Sequence, residues 1–443
     1  MLISQVLNKT RPQHPFASEG WLPFAACLLV CLPVLVYFAA FRQLFWFGDD
    51  WDQLNELAKA GLLQWSLTPF AENFVPLFKS LLASVVYMFH GSYTAIILLL
   101  WLTHGLNLFL FANILRKIGF RSLAIVAAVL TAGVCWTNIE TLTWATQWTS
   151  VLASTTFLLA FICLLAALDS SGKYRTCMIG LYLGCIVASP LFHSRGILTG
   201  LALGATLLVC NDWEPLRQPR RALAVGTFAL ALLLAAAIQV TVVSPSHSSQ
   251  PLTWHELAGM ASFSAYYYLL NPLFLFVPFV FKTVGWLPAT VLGMIKVLIL
   301  IWAYENSPRT ARPFLFTLLL YELGYCFILG YGRSYTGMTA ACSSRYQYVA
   351  LFCFAPFLGI AMMKCIELFT HRGRTRLVLS WVFLSVAAVV MIRGWCAPLE
   401  SWSDGRGTAI RAALRDGEPD ALIAASGTSI GRARQLAQIF NLH

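Results

Sequence analysis

Charge is what this 443-residue sequence has least of: Asp, Glu, Lys and Arg together make up 11%, where a soluble chain carries about a quarter. Hydrophobic residues reach 58% and the mean hydropathy is +0.71. Apolar runs of about 20 residues recur along the whole chain, the mark of a polytopic helical membrane protein. Cysteine is present but unorganised. The twelve cysteines form no CxxC pair and no Cys/His metal spacing, and most sit within apolar runs as small packing residues. Cys342 and Cys396 both fall in outer segments, which leaves a disulfide between them open. The net charge of +11 is not gathered into a stripe, so nucleic acid is not expected as a partner. Basic residues stand instead in short loops between apolar runs, where they set orientation.

The expected fold is all-α, a transmembrane bundle of about 11 spans with interfacial helices in two large outer loops. Residues 1–20 read as a cytoplasmic N-terminus and residues 21–395 as the membrane domain. Spans are expected near 21–41, 94–114, 122–137, 148–168, 177–192, 196–210, 222–243, 285–302, 313–331, 346–366 and 377–394. Loops 42–93 and 244–284 lie outside, as does a short tail, 396–443. Residues 254–281 are apolar enough to cross, but a crossing there breaks the charge pattern, so they read as interfacial or re-entrant.

With this topology the remaining polar residues fall near the outer ends of spans. Asp49, Asp50 and Asp52 stand in "WFGDDWD" directly after the first span, followed by Glu72 and Asn73. Glu140 and Gln147 flank Trp144 and lie seven residues apart, two helical turns, so they are expected on one face. His193 and Arg195 fall between the fifth and sixth spans, and Arg333, Arg345 and Tyr346 in a late outer loop. Each has a plainer role available: Asp49 and Asp50 suit the start of a helix, Glu140 suits polar packing between helices, and Arg195 suits a hairpin anchor. His90 and His104 read as packed or interfacial.

Acids and arginines at such a rim suit one chemistry in particular. Guanidinium forms forked hydrogen bonds to phosphate oxygens, and a neighbouring carboxylate can take a proton from an acceptor hydroxyl. Together they fit glycosyl transfer from a polyprenyl-phosphate sugar with inversion at the anomeric carbon. The same residues also fit a translocation path, since transporters bury charge as well. A non-catalytic scaffold of an envelope assembly is a third class.

The order "FGDDWDQL", "ENFVPLFKSLL", Glu140-Trp144-Gln147 and a late Gly332-Arg333 with Ser344-Arg345-Tyr346 resembles the bacterial polytopic members of the GT-C superfamily of membrane glycosyltransferases. The resemblance covers roughly residues 20–395, as sparse motifs. It implies a GT-C-like bundle in the bacterial inner membrane with its active site facing the periplasm. It further implies a polyprenyl-phosphate-linked donor, carrying a hexose or a pentofuranose, and a glycan, lipid or surface-protein acceptor. Asp49 or Asp50 would be the base, with Asp49 favoured. Asp52, Glu72, Asn73, Glu140, Trp144, Gln147, His193, Arg195, Arg333, Arg345 and Tyr346 would contact substrates. A divalent metal, Mg or Mn, on Asp49, Asp50 and Glu72 is left open. The chain departs from the pattern at Asn73, where a His often follows the acid, and at His193-Ser194-Arg195-Gly196, where a small or Asn-containing turn is expected.

Overall fold

The structure is a computed structural model and describes residues 22–70, 73–209, 217–240, 242, 253–272, 284–369, 373–418 and 428–442. Among them there is no β-strand; one isolated bridge pairs Phe70 with Asn73. Eight helices among the described residues are long and apolar enough to cross a membrane.

The first apolar stretch is broken into α1 (Leu22–Leu29), α2 (Leu32–Val36) and α3 (Phe38–Gln43). Pro33 at the second position of α2 accounts for the break, since it has no N–H to continue α1. Two non-spanning helices follow, α4 (Asp49–Ser66) and α5 (Pro76–Met88), packed on each other. Lys79 ties them, with Nζ donating to the Trp65 and Thr68 carbonyls at 3.1 and 3.0 Å.

The bundle proper starts with α6 (Tyr93–Lys117) and α7 (Ser122–Val134). A short α8 (Ile139–Thr143) precedes α9 (Trp148–Leu168), α10 (Gly172–Phe192) and α11 (Ile197–Val209). Next is α12 (Arg217–Leu234), which widens into a π-turn at Ala235–Val240. Then come α13 (Trp254–Leu270), α14 (Trp286–Glu305), α15 (Arg312–Arg333), α16 (Gln347–Phe369) and α17 (Gly373–Gly394). α7 and α16 are the most enclosed, and α9 packs between α6 and α10. The outer surface of the bundle is apolar: Leu102 on α6, Leu298 on α14 and Phe327 on α15 are all more than half exposed. Such a girdle is stable against lipid and not against water.

The basic residues of the short loops gather at one end of the bundle. Arg116, Lys117, Arg121, Lys173, Arg175, Arg309, Arg312 and Lys364 all lie at that end, where Arg121 and Lys364 both pair with Glu367. The opposite end carries α4, α5 and three terminal helices, α18 (Cys396–Ser403), α19 (Ala409–Asp416) and α20 (Ile430–Phe440). These dock on the 42–93 segment: Arg411 donates to the Gln43 carbonyl at 2.7 Å, and Gly91 lies against the Phe440 carbonyl. Cys342 and Cys396, the pair left open as a disulfide, are both free thiols.

Helix α13 starts with a Thr253/Glu256 capping box. It then runs antiparallel to α15, with Ser264 Oγ donating to the Cys326 carbonyl at 2.9 Å and Asn271 Nδ2 to Glu322 Oε1 at 3.1 Å. Glu322 lies half-way along α15, so α13 ends at mid-bundle. Val284, just before α14, is back beside Tyr266. Glu322 also accepts from Lys296 Nζ on α14 at 2.5 Å, and both side chains are fully buried. This pair corrects the expectation that polar residues lie only at helix ends. An ammonium and a carboxylate can share the bundle centre because each neutralises the other, and the Tyr268 ring lies 3.7 Å from Lys296 Nζ.

Candidate functional site

The acid motif straddles the start of α4. Gly48 has φ +54°, a left-handed turn that glycine adopts without strain, and a Cβ there would press to 3.2 Å against Trp144. Successive helical residues point about 100° apart, and the two aspartates separate accordingly. Asp50 turns inward and is 1% exposed. Its Oδ1 accepts from the Thr146 N–H at 3.1 Å and the Thr146 hydroxyl at 2.5 Å. Its Oδ2 accepts from the Phe47 N–H at 3.3 Å and, more weakly, from the Tyr93 hydroxyl at 3.5 Å. Burial pushes the Asp50 carboxyl up to about 7, against the lowering effect of the Thr146 and Phe47 donors. Asp50 therefore fastens the acid motif to the segment before α9, and Tyr93 reinforces the joint by donating to the Thr143 carbonyl at 3.0 Å.

Asp49 points the other way, into a cavity of about 580 Å³. The surrounding walls raise its pKa, while the Arg345 and Arg333 guanidinium groups pull it back down. The cavity gathers residues from seven separated segments: Asp49, Asn73, Gln147, His193 with Arg195, Gln239, Arg333, and Arg345 with Tyr346. Phe70, Phe78, Tyr325 and Tyr331 supply aromatic wall.

Arg195 owes its position to a tight crossing. The 3₁₀ turn Ser194–Gly196 packs on the end of α10 so closely that a Cβ on Gly196 would lie 2.1 Å from the Ser189 carbonyl carbon. The guanidinium is 1% exposed. Nη2 donates to the Ser150 carbonyl at 2.5 Å, and the group lies 5.3 Å from the Tyr325 ring centre. Nε has no hydrogen-bond partner, and no carboxylate among the described residues pairs with this charge. His193 Nδ1 accepts from the Arg195 N–H at 3.3 Å, so the neutral ring keeps its proton on Nε2. Burial, followed by the Arg195 and Arg333 charges, holds this imidazole well below its usual range. In that tautomer His193 offers its Nε2–H to the cavity as a neutral donor.

Four residues expected as substrate or catalytic contacts do not line the cavity. Asp50 is the buried fastener described above. Asp52 is paired with Arg432 on α20 at 2.7 Å. Glu140 holds the late loop: its Oε2 accepts from the Ser343 and Ser344 hydroxyls at 3.1 and 2.9 Å and from the Arg345 N–H at 3.0 Å. Trp144 lies under the Arg345 guanidinium, 5.5 Å from its ring centre. Glu140 and Trp144 thus position Arg345. The shared helical face expected for Glu140 and Gln147 is also absent. The helix stops at Trp144, whose φ/ψ of −122°/120° is extended, and Gln147 starts a new segment.

Glu72 lies outside the described residues. Of the oxygen donors expected for a metal, Asp50 has both oxygens engaged by protein donors, and no group of three or more His, Cys, Asp or Glu among the described residues could hold an ion. The described residues do not by themselves make a metal site. His104 is packed, with Nδ1 2.9 Å from the Tyr348 hydroxyl and Nε2 3.2 Å from the Gly133 carbonyl.

Thr146, Ser150, Tyr325 and Gln239 line the cavity and were not singled out from the sequence. Gln239 left one trace, as the lone polar side chain in "LLLAAAIQV". Chemically, the cavity offers one carboxylate that makes no hydrogen bond or ion pair among the described residues, the buried Arg195 cation, the Arg333 and Arg345 guanidinium groups and a set of neutral donors. No protein-family model matches the chain, and no curated protein or solved structure matches it.

Proposed function

We propose that the chain is an inverting membrane glycosyltransferase that moves a sugar from a polyprenyl-phosphate donor to a hydroxyl of an envelope glycan, lipid or surface protein. The observation that carries this reading is the convergence of Asp49 with Arg195, whose charge meets no carboxylate among the described residues, in one cavity at the end of the bundle opposite the short basic loops. Cations fix orientation towards the cytoplasm, so that end is taken as periplasmic and the membrane as the bacterial inner membrane. The eight long helices, together with the broken 22–43 stretch, α11 and α17, make eleven crossings. An odd number puts the terminal helices α18, α19 and α20 on the same side as α4 and α5, in keeping with the contacts of Arg411 and Arg432.

In this mechanism the acceptor hydroxyl lies against Asp49. Its oxygen attacks the anomeric carbon while Asp49 takes the proton. The bond from that carbon to the phosphate oxygen breaks with its electron pair going to the phosphate. The polyprenyl phosphate leaves with one more negative charge, which Arg195 meets together with the His193 Nε2–H donor. The raised pKa of Asp49 makes it a stronger base than an exposed aspartate, and Arg345 favours its ionised form.

The test is mass spectrometry of envelope glycans and surface proteins with and without the chain, followed by transfer assays with the purified protein. A sugar lost on deletion, and lost again with Arg195→Met in a protein that still inserts, is the expected outcome. Unchanged glycans would refute the reading. The buried Lys296–Glu322 pair favours a second reading, a transporter or flippase for a lipid-linked glycan. That pair is closed on itself and does not line the cavity, so transfer is preferred. Movement of a labelled lipid-linked glycan across a vesicle, with no sugar transferred, would reverse the preference.

A further inference from the structure

Gln239 stands on the cavity wall with its side-chain amide nitrogen buried and without a hydrogen-bond partner among the described residues. An amide removed from water without a partner is unfavourable, and native structures rarely retain one unless something completes it. The local backbone has been altered to put it there. α12 ends in the π-turn Ala235–Val240, an arrangement uncommon in helices and frequent where a side chain is presented to a ligand. A second carboxamide, Gln147, lines the same cavity from the start of α9.

What completes the Gln239 amide follows from its chemistry. A carboxamide presents two N–H donors and one acceptor oxygen. A phosphate group only accepts and would leave the amide oxygen facing other oxygens. An alkyl chain would satisfy neither end. A hydroxyl both donates and accepts, so a pair of neighbouring hydroxyls satisfies both ends of one amide. The Tyr325 and Tyr331 rings on the same wall supply an apolar surface for the C–H face of a sugar ring. Arg195, with its free Nε–H, already provides the anion contact.

We propose that Gln239 is the residue that reads the hydroxyl configuration of the sugar ring, with Gln147 as its companion. The ligand class is a polyhydroxylated ring attached to a phosphate, and the proposal rests on the glycosyl-transfer reading only for the fate of that ring. A site built around a substrate hydroxyl discriminates strongly against a ligand that lacks or misplaces it.

The experiment uses the full-length protein in lipid nanodiscs. The probes are polyprenyl phosphate itself and polyprenyl-phosphate sugars differing at one hydroxyl: glucose, mannose, galactose and 2-deoxyglucose. Binding is measured by competition for wild type, Gln239→Leu and Gln239→Asn. Wild type is expected to prefer one sugar by about tenfold or more. In Gln239→Leu that preference should fall below about threefold, while polyprenyl phosphate binds within about twofold of wild type. Gln239→Asn, which keeps the amide on a shorter stem, should recover part of the preference and so separates recognition from misfolding. An unchanged preference in Gln239→Leu overturns the proposal and leaves glycosyl transfer standing. Sugar-selective binding that depends on Gln239, with no transfer to any acceptor, overturns the transfer reading and supports the proposal. Equal binding of all four sugars by wild type overturns the proposal.

Discussion

Replacing each of the adjacent aspartates in turn separates chemistry from architecture, because the two side chains leave α4 in different directions. Asp50→Ala removes an acceptor from three donors within 3.3 Å, the Thr146 N–H, the Thr146 hydroxyl and the Phe47 N–H. A buried donor left unpaired costs about 1–3 kcal/mol. Relief from burying a carboxyl offsets part of that sum, so a net loss of about 3 kcal/mol or more is expected. Asp50→Asn keeps one acceptor oxygen but turns an amide towards the Phe47 N–H, for a loss of about 1–2 kcal/mol. Asp49 makes no hydrogen bond among the described residues and is solvent-accessible through the cavity. Asp49→Asn should therefore leave stability within about 0.5 kcal/mol of wild type. Loss of a general base lowers turnover by about 10²–10⁴-fold, so Asp49→Asn should be folded and inactive. Thermal unfolding of the detergent-solubilised protein, followed by tryptophan fluorescence, reads the first quantity, and transfer of radiolabelled sugar reads the second. An Asp49→Asn protein that keeps more than about a tenth of the wild-type rate would refute its role as base. An Asp50→Ala protein that unfolds with wild type would refute the fastener.

Three further outcomes follow from the same contacts. Because burial raises the Asp49 carboxyl and Arg345 lowers it, kcat/KM should rise with pH to a plateau, and Arg345→Met should move that acid limb to higher pH in a pH–rate profile. Asp50 titrates near 7 in the folded chain against an ordinary 3.8, so the unfolded chain loses that proton first. Its contribution to stability is complete below pH ~4 and is lost as pH rises through ~7, and Asp50→Asn should flatten that part of a melting-temperature series. Lys296→Met or Glu322→Gln alone should cost about 3–5 kcal/mol in unfolding experiments, while Lys296→Met with Glu322→Met should recover most of it.

How far the sequence reveals this site depends on the range of the interaction involved. Helix existence was legible because apolar periodicity is local, and eight of the expected crossings reappear as long apolar helices. The company kept by Asp49 was partly legible, since end-of-span position already placed Gln147, His193, Arg195, Arg333 and Arg345 near it. The division of labour between Asp49 and Asp50 was not. One residue of phase on a helix decides which carboxylate meets Thr146, 96 residues away, and nothing local fixes that phase. The break at Trp144 was hidden for the converse reason. Its neighbours suit a continuous helix, and the extended backbone there accompanies the tertiary contact of Trp144 with Arg345. Lys296 and Glu322 each look like a lone charge in an apolar run, and only their pairing across two helices explains how both are tolerated.

Pairing also explains why so few residues are left to do chemistry. Asp50 is engaged by Thr146 and Phe47, Asp52 by Arg432, Glu140 by the 343–345 segment and Glu322 by Lys296 and Asn271. Each of these acids lies in a region that looked reactive or costly, and each is neutralised or fully hydrogen-bonded by the chain itself. Asp49 and Arg195 are different: the first feels the Arg345 and Arg333 charges but makes no hydrogen bond or ion pair among the described residues, and the second has a buried charge with one N–H unused. The Arg195 contact with the Ser150 carbonyl ties the 194–196 turn to α9, but it leaves the guanidinium charge without a carboxylate among the described residues and does not involve Asp49. The retention of both residues makes physical sense if a ligand brings the missing partners, a hydroxyl proton for Asp49 and an anionic oxygen for Arg195. That requirement is met by an acceptor alcohol and a phosphate-linked donor bound side by side, and a ligand carrying only one of the two groups would leave the other residue uncompensated.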